Sequence, residues 1–399
     1  MNSTYFKELK MTSSGVFILV LHLVVIFCLP FYFFYDPPGL MLIILTIILL
    51  FLSEIGITAG YHRLYSHPTY RTVKVVEIAL LWLATLTLQG SALRWSYDHR
   101  LHHANVDQAG DPYNIKRGFW FAHVLWLFMP PTQIQENIIP DLIKNKLLVW
   151  QHNNYYLFAI LTNVITFAFV GWLTNQWLGA FILAVLVRLL FSYHFTWFIN
   201  SLAHWWGEKS YSKELTARDN AILALLTVGE GYHNYHHTFP GDYRNGIRWY
   251  HFDLSKWLIY SLSKIGLTFD LHRYSKDKIT KKLINMDKSL VLGRIVEMKS
   301  YPKKLKRIIP QDDNDYKSFL VEKVNQLSSS LKIKQEEISE LISNRLYAKK
   351  DKVSKYKLRE IRSELRISRR SYSTEWKIWT QLCSIILSTE SSKSYKVIN

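Results

Sequence analysis

Residues 231–237 read GYHNYHH, from Gly231 to His237, and the three histidines inside them decide how the chain is read. His233, His236 and His237 stand in His-x-x-His-His spacing. Positions i, i+3 and i+4 share one face of a helix. Three imidazoles on one face can converge on a metal, or they can meet solvent, and the triplet alone leaves both open.

The rest of the chain weighs between them. HRLHH repeats the spacing with His99, His102 and His103; HRLYSH frames His62 and His67; NSLAH ends on His204. These nine are drawn from 15 histidines in 399 residues. Neutral imidazole is a good ligand for iron, zinc, copper and nickel. Nine histidines exceed what one metal can use, whereas two metals with four or five nitrogens each account for the number. No box contains a cysteine or an acidic residue. Structural zinc is closed by four ligands and usually includes cysteine, so a redox metal with a position left open fits better.

Around the boxes lie four segments long and apolar enough to cross a bilayer, which takes about 20 residues: about 15–35, 39–58, 155–173 and 177–199. The connections DPPG and TNQ carry no cation. Lys and Arg fill the N-terminus (Lys7, Lys10), the 62–117 region and everything after 206. Cations collect on the cytoplasmic side, so both hairpins face away from the cytoplasm and all nine histidines face it. A fifth apolar stretch, 75–93, contains Glu77, Gln89 and Ser91; a crossing there would separate the first two boxes. It is read as a helix or helix pair at the membrane face. The expected fold is an all-α membrane protein, with four transmembrane helices and a cytosolic helical cap holding the metals.

Net charge is +18, which raises the question of nucleic acid. The charge is unevenly placed. From Lys276 to Asn399 there are 29 Lys+Arg against 15 Asp+Glu, leaving the first 275 residues near +4. The chain is therefore divided into an apolar body, 1–275, and a basic, mainly helical extension, 276–399, and no nucleic-acid partner is expected. Within the extension, 374–388 (TEWKIWTQLCSIILS) is a short amphipathic piece suited to a membrane surface or a partner. Cys28 and Cys383 are too few and too far apart for a disulfide framework. Lys7 and Lys10 precede an apolar run with no small-residue cleavage site, so no cleavable signal is expected.

The words HRLYSH, DHRLHH…DPYNIKRGFWFAHVLWLF, FINSLAH and VGEGYHNYHHTFPGDYR resemble those of the membrane acyl-CoA desaturases of the stearoyl-CoA, or delta-9, type. The resemblance runs over roughly 15–280. It implies a di-iron centre, two Fe2+ per chain, with His62, His67, His99, His102, His103, His204, His233, His236 and His237 as ligands and Asn200 reaching one iron through a water. It implies O2 as oxidant and a fatty acyl-CoA of C16–C18 gaining a cis double bond, at carbon 9. Gln89, Trp95 and Thr196 match the residues that hold the kink of the acyl chain. Arg188 matches an arginine near the active-site side, structural or CoA-facing. RWSYDHR departs from the pattern: Tyr97 stands where an arginine is common, with Arg94 one turn earlier and Asp98 retained. DPYN replaces DPHN. No haem-binding HPGG word is present, so electrons are expected from a separate donor, cytochrome b5 or a ferredoxin-type protein with its reductase. The membrane is that of the endoplasmic reticulum or a bacterial inner membrane. Two rivals stand beside this reading: a hydroxylase on the same centre, and a histidine-rich metal-binding or transport protein.

Overall fold

The computed structural model describes residues 10–298, 300–306, 309, 315–350 and 354–388. Lys7 lies outside them. By internal contacts the chain divides into two compact units, Met1–Arg273 and Tyr274–Asn399.

In the first unit, α1 (Ser13–Tyr35) and α2 (Leu40–Ile55) form a hairpin across the Pro-Pro-Gly turn. Thr12 caps α1, its hydroxyl oxygen accepting from the Gly15 amide at 3.0 Å. This meets one of the donors a helix start leaves open. α2 runs without a break into a π-helix, Gly56–Ser66, making one helical span of Leu40–Ser66. Next come α3 (Lys74–Thr85) and α4 (Ala92–Ala104). α5 (Tyr155–Thr174) is followed by a span, Trp177–Trp205, that contains a second π-helix, Ala180–Val187, and α6 (Arg188–Asn200). Among the described residues four helices are thus long and apolar enough to cross a membrane. Their outward faces carry bare apolar side chains: Phe27, Phe31 and Phe34 on α1 are 64%, 64% and 79% exposed. Such a belt is unfavourable in water and suits lipid, where a helix also satisfies its own backbone. The chain is a membrane protein.

Two spans run past the apolar segments expected of them. The second was expected to end at 58 and continues to Ser66; the fourth was expected to end at 199 and continues to Trp205. His62 and His204 therefore sit on rigid helical extensions. The stretch 75–93 is not one helix. α3 stops at Thr85, and left-handed Leu88 (φ 54°) and Gly90 (φ 93°) turn the chain into α4. Gly56, where the π-helix starts, lies hard against α3: a Cβ there would fall 2.4 Å from the Ala84 amide nitrogen.

Arg188 explains how α3 can stop among buried groups. Its guanidinium is fully buried. It donates to the Leu86 carbonyl at 3.0 Å, the Ala184 carbonyl at 2.8 Å and Asn163 Oδ1 at 2.6 Å. A cation on a carbonyl at a helix C-terminal end meets both its hydrogen-bonding need and its dipole. The strands β1 (Arg71–Thr72) and β2 (Thr268–Phe269) pair antiparallel, holding the end of the unit beside the loop after the first histidine box.

The second unit packs three helices, α9 (Lys276–Glu297), α10 (Tyr316–Lys350) and α11 (Lys355–Leu387), numbering α7 (His233–Thr238) and α8 (Leu254–Lys264) in the first unit before them. It has its own core, with Ile284, Val291, Leu320, Val324 and Leu331 around Trp379, Leu382 and Ile386. Residues 374–388 are therefore no separate piece awaiting a membrane or partner. They form the last turns of α11, and their apolar face is covered by α9 and α10. The extension is likewise more than a solvated set of polar helices.

Candidate metal centre

Four short helical pieces present the nine histidines. His62 lies in the π-helix and His67 is its C-terminal cap. Residues five apart diverge on an α-helix, but i→i+5 bonding widens the turn and brings them to one side, and the two rings stand 4.9 Å apart. His99, His102 and His103 share a face of α4, and His233, His236 and His237 open and line α7. His204 sits in the helical turn Leu202–Trp205. Gly231 lets the turn before α7 approach closely: a Cβ there would lie 2.2 Å from the Ala224 amide nitrogen.

The rings gather into two groups: His62, His67, His99, His103 and His236, and His102, His204, His233 and His237. Within each group the candidate ligand atoms lie within 4.8 Å of one another. The first triplet thus splits two to one between groups and the second one to two, so each helix serves both.

The nitrogen contacts have a pattern that hydrogen bonding cannot produce. Nε2 of His236 lies 3.0 Å from Nε2 of both His62 and His103. In the other group Nε2 of His233 lies 3.0 Å from those of His204 and His237, and His237 lies 3.2 Å from His102. A ring nitrogen has one proton or one lone pair, pointing one way. His236, His233 and His237 each face two. Imidazole–metal bonds of about 2.1 Å set at right angles place neighbouring nitrogens about 3.0 Å apart, so the donor set fits a shared cation. Burial, reinforced by the neighbouring rings, pushes His67, His99, His103, His233, His236 and His237 well below the usual imidazole range. They are neutral, the form that binds metal.

A second layer turns the rings inward. His102 Nδ1 is 2.8 Å from Asp111 Oδ1, and His204 Nδ1 is 2.6 Å from the Thr216 hydroxyl, which donates to Asp107 at 2.6 Å. A partner of this kind fixes the tautomer, leaving the Nε2 lone pair for the metal. His62 Nδ1 lies 3.0 Å from Glu230 Oε2, off the line of a good hydrogen bond. Glu230 also accepts from Arg63 at 2.9 Å and Asn245 at 2.5 Å, while Arg63 donates to Asp253 at 2.9 Å. Burial works against the Glu230 charge, but His62 and Arg63 together hold its carboxyl down at about 2. None of these partners was anticipated. Glu230 stands three residues before His233 and Asp111 opens DPYN, so the signal lay in the words flanking the boxes.

Asn234 and Tyr235, which the helical period skips, have partners of their own. Asn234 is fully buried; its Oδ1 accepts from the Tyr211 and Ser212 amides at 2.7 and 3.0 Å, and its Nδ2 donates to the Ser212 and Ala217 carbonyls at 2.8 Å. The Tyr235 hydroxyl donates to Asp242 at 2.8 Å. Both lock α7 into the cap.

The other anticipated site residues fall in four places. Gln89, Trp95 and Thr196 come together: Trp95 Nε1 donates to Gln89 Oε1 at 3.3 Å, and Gln89 Nε2 to the Thr196 hydroxyl at 2.9 Å. Trp95 stacks on His99, centroids 5.0 Å apart and planes within 18°, so the trio borders the five-histidine group. Arg94 and Asp98 form a two-pronged pair at 2.6 and 2.8 Å, with burial pushing the Asp98 carboxyl up to about 6 against the opposing pull of Arg94. Tyr97 faces the core beside Tyr61 and Leu93. Arg188 is the exception: its donors are taken up by protein acceptors, as described above, and of its two anticipated roles the geometry matches the structural one. Asn200 ends α6, one turn before His204.

Three further histidines form a chain of their own. His22 Nδ1 is 2.7 Å from the Ile18 carbonyl and its Nε2 3.1 Å from His194 Nε2; His194 Nδ1 is 3.1 Å from His123 Nε2, and His123 Nδ1 3.0 Å from the Ser201 hydroxyl.

Residues 38–264 match the fatty acid desaturase family. The probable acyl-CoA desaturase of Schizosaccharomyces pombe (strain 972 / ATCC 24843) is 39% identical over 69% of this chain and 58% of its own length. The sn-2 palmitoyl-lipid 9-desaturase of Nostoc sp. (strain 36) is 32% identical over 60% of this chain and 82% of its own, and stearoyl-CoA desaturase 5 of Bos taurus 34% over 57% and 70%. Acyl-CoA desaturase 1 of Saccharomyces cerevisiae (strain ATCC 204508 / S288c), 38% identical, is matched over 47% of its length, so the chain spans about half the length of the two yeast relatives. The match takes in every histidine of both groups, and the chain belongs to the fatty acid desaturase family.

Proposed function

We propose that the protein is an acyl-CoA desaturase that places a cis double bond, at carbon 9, in a saturated C16–C18 acyl chain. The observation that carries this reading is the convergence of nine imidazoles in two groups with Trp95 stacked against one of them. His62, His67, His99, His103 and His236 would hold one iron; His102, His204, His233 and His237, with Asn200 through a water, would hold the other. The pair of irons would supply the redox chemistry, drawing on O2 and two external electrons, that no side-chain acid or base offers toward an unactivated methylene.

The chain's own residues do the positioning. The Trp95–Gln89–Thr196 relay ties α4 to α6 through the turn between α3 and α4, so the wall beside His99 is stiff. A stiff wall is what selects one C–C bond, since small misplacements cost orders of magnitude in rate. Glu230, Asp111 and Thr216 hold ring orientation. Arg94, paired with Asp98 and 25% exposed, is the cation offered to the carrier end of the substrate. The carrier is taken as CoA, as in the names of the fission-yeast and bovine relatives; that of the Nostoc relative specifies a lipid-bound chain. The electrons come from a cytochrome b5 or ferredoxin-type donor with its reductase, and the chain spans the membrane four times with the site on the cytoplasmic side, in the endoplasmic reticulum or a bacterial inner membrane.

Purified protein loaded with iron and given O2, reductant and stearoyl-CoA is expected to form a monoene lighter than the substrate by two hydrogens. A product heavier by one oxygen identifies a hydroxylase instead. No product, together with unchanged lipids in a desaturase-deficient host, refutes the reading; zinc at full occupancy without iron points to metal binding or transport.

A further inference from the structure

The second unit contains a site that desaturation does not use. Between α10 and α11 lies a concavity of about 420 Å³. Its walls carry Arg345 from α10 and Arg362, Arg366, Arg369 and Arg370 from α11, with Leu365 and the Ser373 hydroxyl completing it. Residues 362, 366, 369 and 373 recur at i, i+4, i+7 and i+11, so they form one stripe along α11. The neighbouring stripe, with Ile361 and Leu365, is buried, so the arginines stand on a packed helix.

Three observations give the groove a ligand class. First, its cations are all arginine. The segment from Lys276 to Asn399 holds 21 lysines and 8 arginines, yet among the described residues five arginines and no lysine line the groove. Guanidinium presents a planar fork that matches phosphate oxygens two at a time, which a lysine ammonium cannot do. Second, the charge is uncompensated. Among the described residues no carboxylate lines the groove and none of the five arginines is in an ion pair, whereas Lys281 and Lys334 in the same unit pair with Glu336 and Glu375 at 2.5 Å. Like charges one helical turn apart repel, and an anion would relieve that. Third, the groove is open and its volume of about 420 Å³ is of small-ligand size.

We propose that this groove binds a small anion carrying two or more phosphates, such as a phosphorylated inositol ring. Such a ring has two sources, a lipid headgroup or a free inositol phosphate. The unit is joined by its own chain to a membrane protein, which keeps it near headgroups. The proposal does not depend on the desaturase reading.

The test uses the full chain in neutral detergent, with two probes followed by titration calorimetry: dioctanoyl phosphatidylinositol 4,5-bisphosphate and free inositol 1,4,5-trisphosphate. Saturable binding is expected, weakened by about tenfold or more in Arg366→Gln/Arg369→Gln, since each removes charge-assisted hydrogen bonds. Lys355→Gln/Lys357→Gln, which loses the same charge outside the groove, is expected to stay within about twofold because exposed charges are screened. Tighter binding of the lipid assigns the membrane source, and equal binding the soluble one. The proposal is overturned if neither probe saturates or if the lysine pair weakens binding as much as the arginine pair. Full affinity in Arg366→Lys/Arg369→Lys, or tighter binding of polyglutamate than of either probe, also overturns it. Unchanged melting of each variant keeps a folding defect from imitating the expected loss.

Discussion

Twelve histidines in the first unit fall into two arrangements, and the contrast between them separates a metal site from a hydrogen-bonded chain. Along His22, His194 and His123 each ring nitrogen meets at most one other ring nitrogen, and one set of neutral tautomers satisfies the ring-to-ring contacts: His22 donates to Ile18, His194 to His22 and His123 to His194, while the Ser201 hydroxyl beside His123 donates to the Trp197 carbonyl. In the nine-histidine site no such set exists, because His236, His233 and His237 each bring one Nε2 to two others. The ring atoms sit at the same spacing of about 3 Å in both places. What differs is the number of partners per nitrogen, and a cation is what reconciles the second pattern.

The largest break in the comparison is expected from His236→Ala, which removes the nitrogen facing both His62 and His103. Iron content measured by mass spectrometry should fall by half or more, and monoene formation in a desaturase-deficient host should be lost. Glu230→Gln comes next. It leaves all nine rings and takes away the charge beside His62, so metal affinity should weaken by about 10- to 100-fold, read by chelator competition; unchanged affinity would remove Glu230 from the supporting layer. Gln89→Ala breaks the link between Trp95 and Thr196 while sparing every ligand. Metal content should hold, turnover should fall by about tenfold, and gas chromatography should show double bonds spread to neighbouring positions.

The chain of single partners should respond differently. His194→Leu leaves His22 and His123 each short of a partner and should cost about 1–3 kcal/mol of stability by thermal melting, with iron content unchanged. Lost iron there would dissolve the distinction. The smallest effect concerns pH. Burial and His194 hold His123 at about 4. Between pH 6.5 and 4 the unfolded chain therefore binds the extra proton, so stability is full above 6.5 and declines as pH falls toward 4. His123→Gln should flatten that part of the melting profile.

Much of this was legible in the amino acids. The four spans, the histidine boxes and the neighbourhood of Gln89, Trp95 and Thr196 follow from hydropathy, spacing and family resemblance, which are local in the chain. The supporting layer was not, because Glu230, Asp111 and Thr216 act on rings in other elements or across a loop, and nothing in a carboxylate's own position says which nitrogen it will face. The π-helix that aligns His62 with His67 was also unannounced, since GITAGYHRLYS reads as ordinary helix by composition. The end of α11 misled for a related reason. An amphipathic face states that something covers it, not what, and here the cover is the unit's own α9 and α10.

By itself the sequence determined that this is a membrane protein with two metals' worth of histidine on one set of helices, because bilayer thickness and ligand number are counted along the chain. Which five rings and which four form each group, the sharing of each histidine triplet between both, and the closing of the end of α3 by Arg188 emerge from the folded arrangement alone. Those outcomes depend on how separate helices cross, and ring-to-ring distances near 3 Å are set by that crossing rather than by any spacing within a helix.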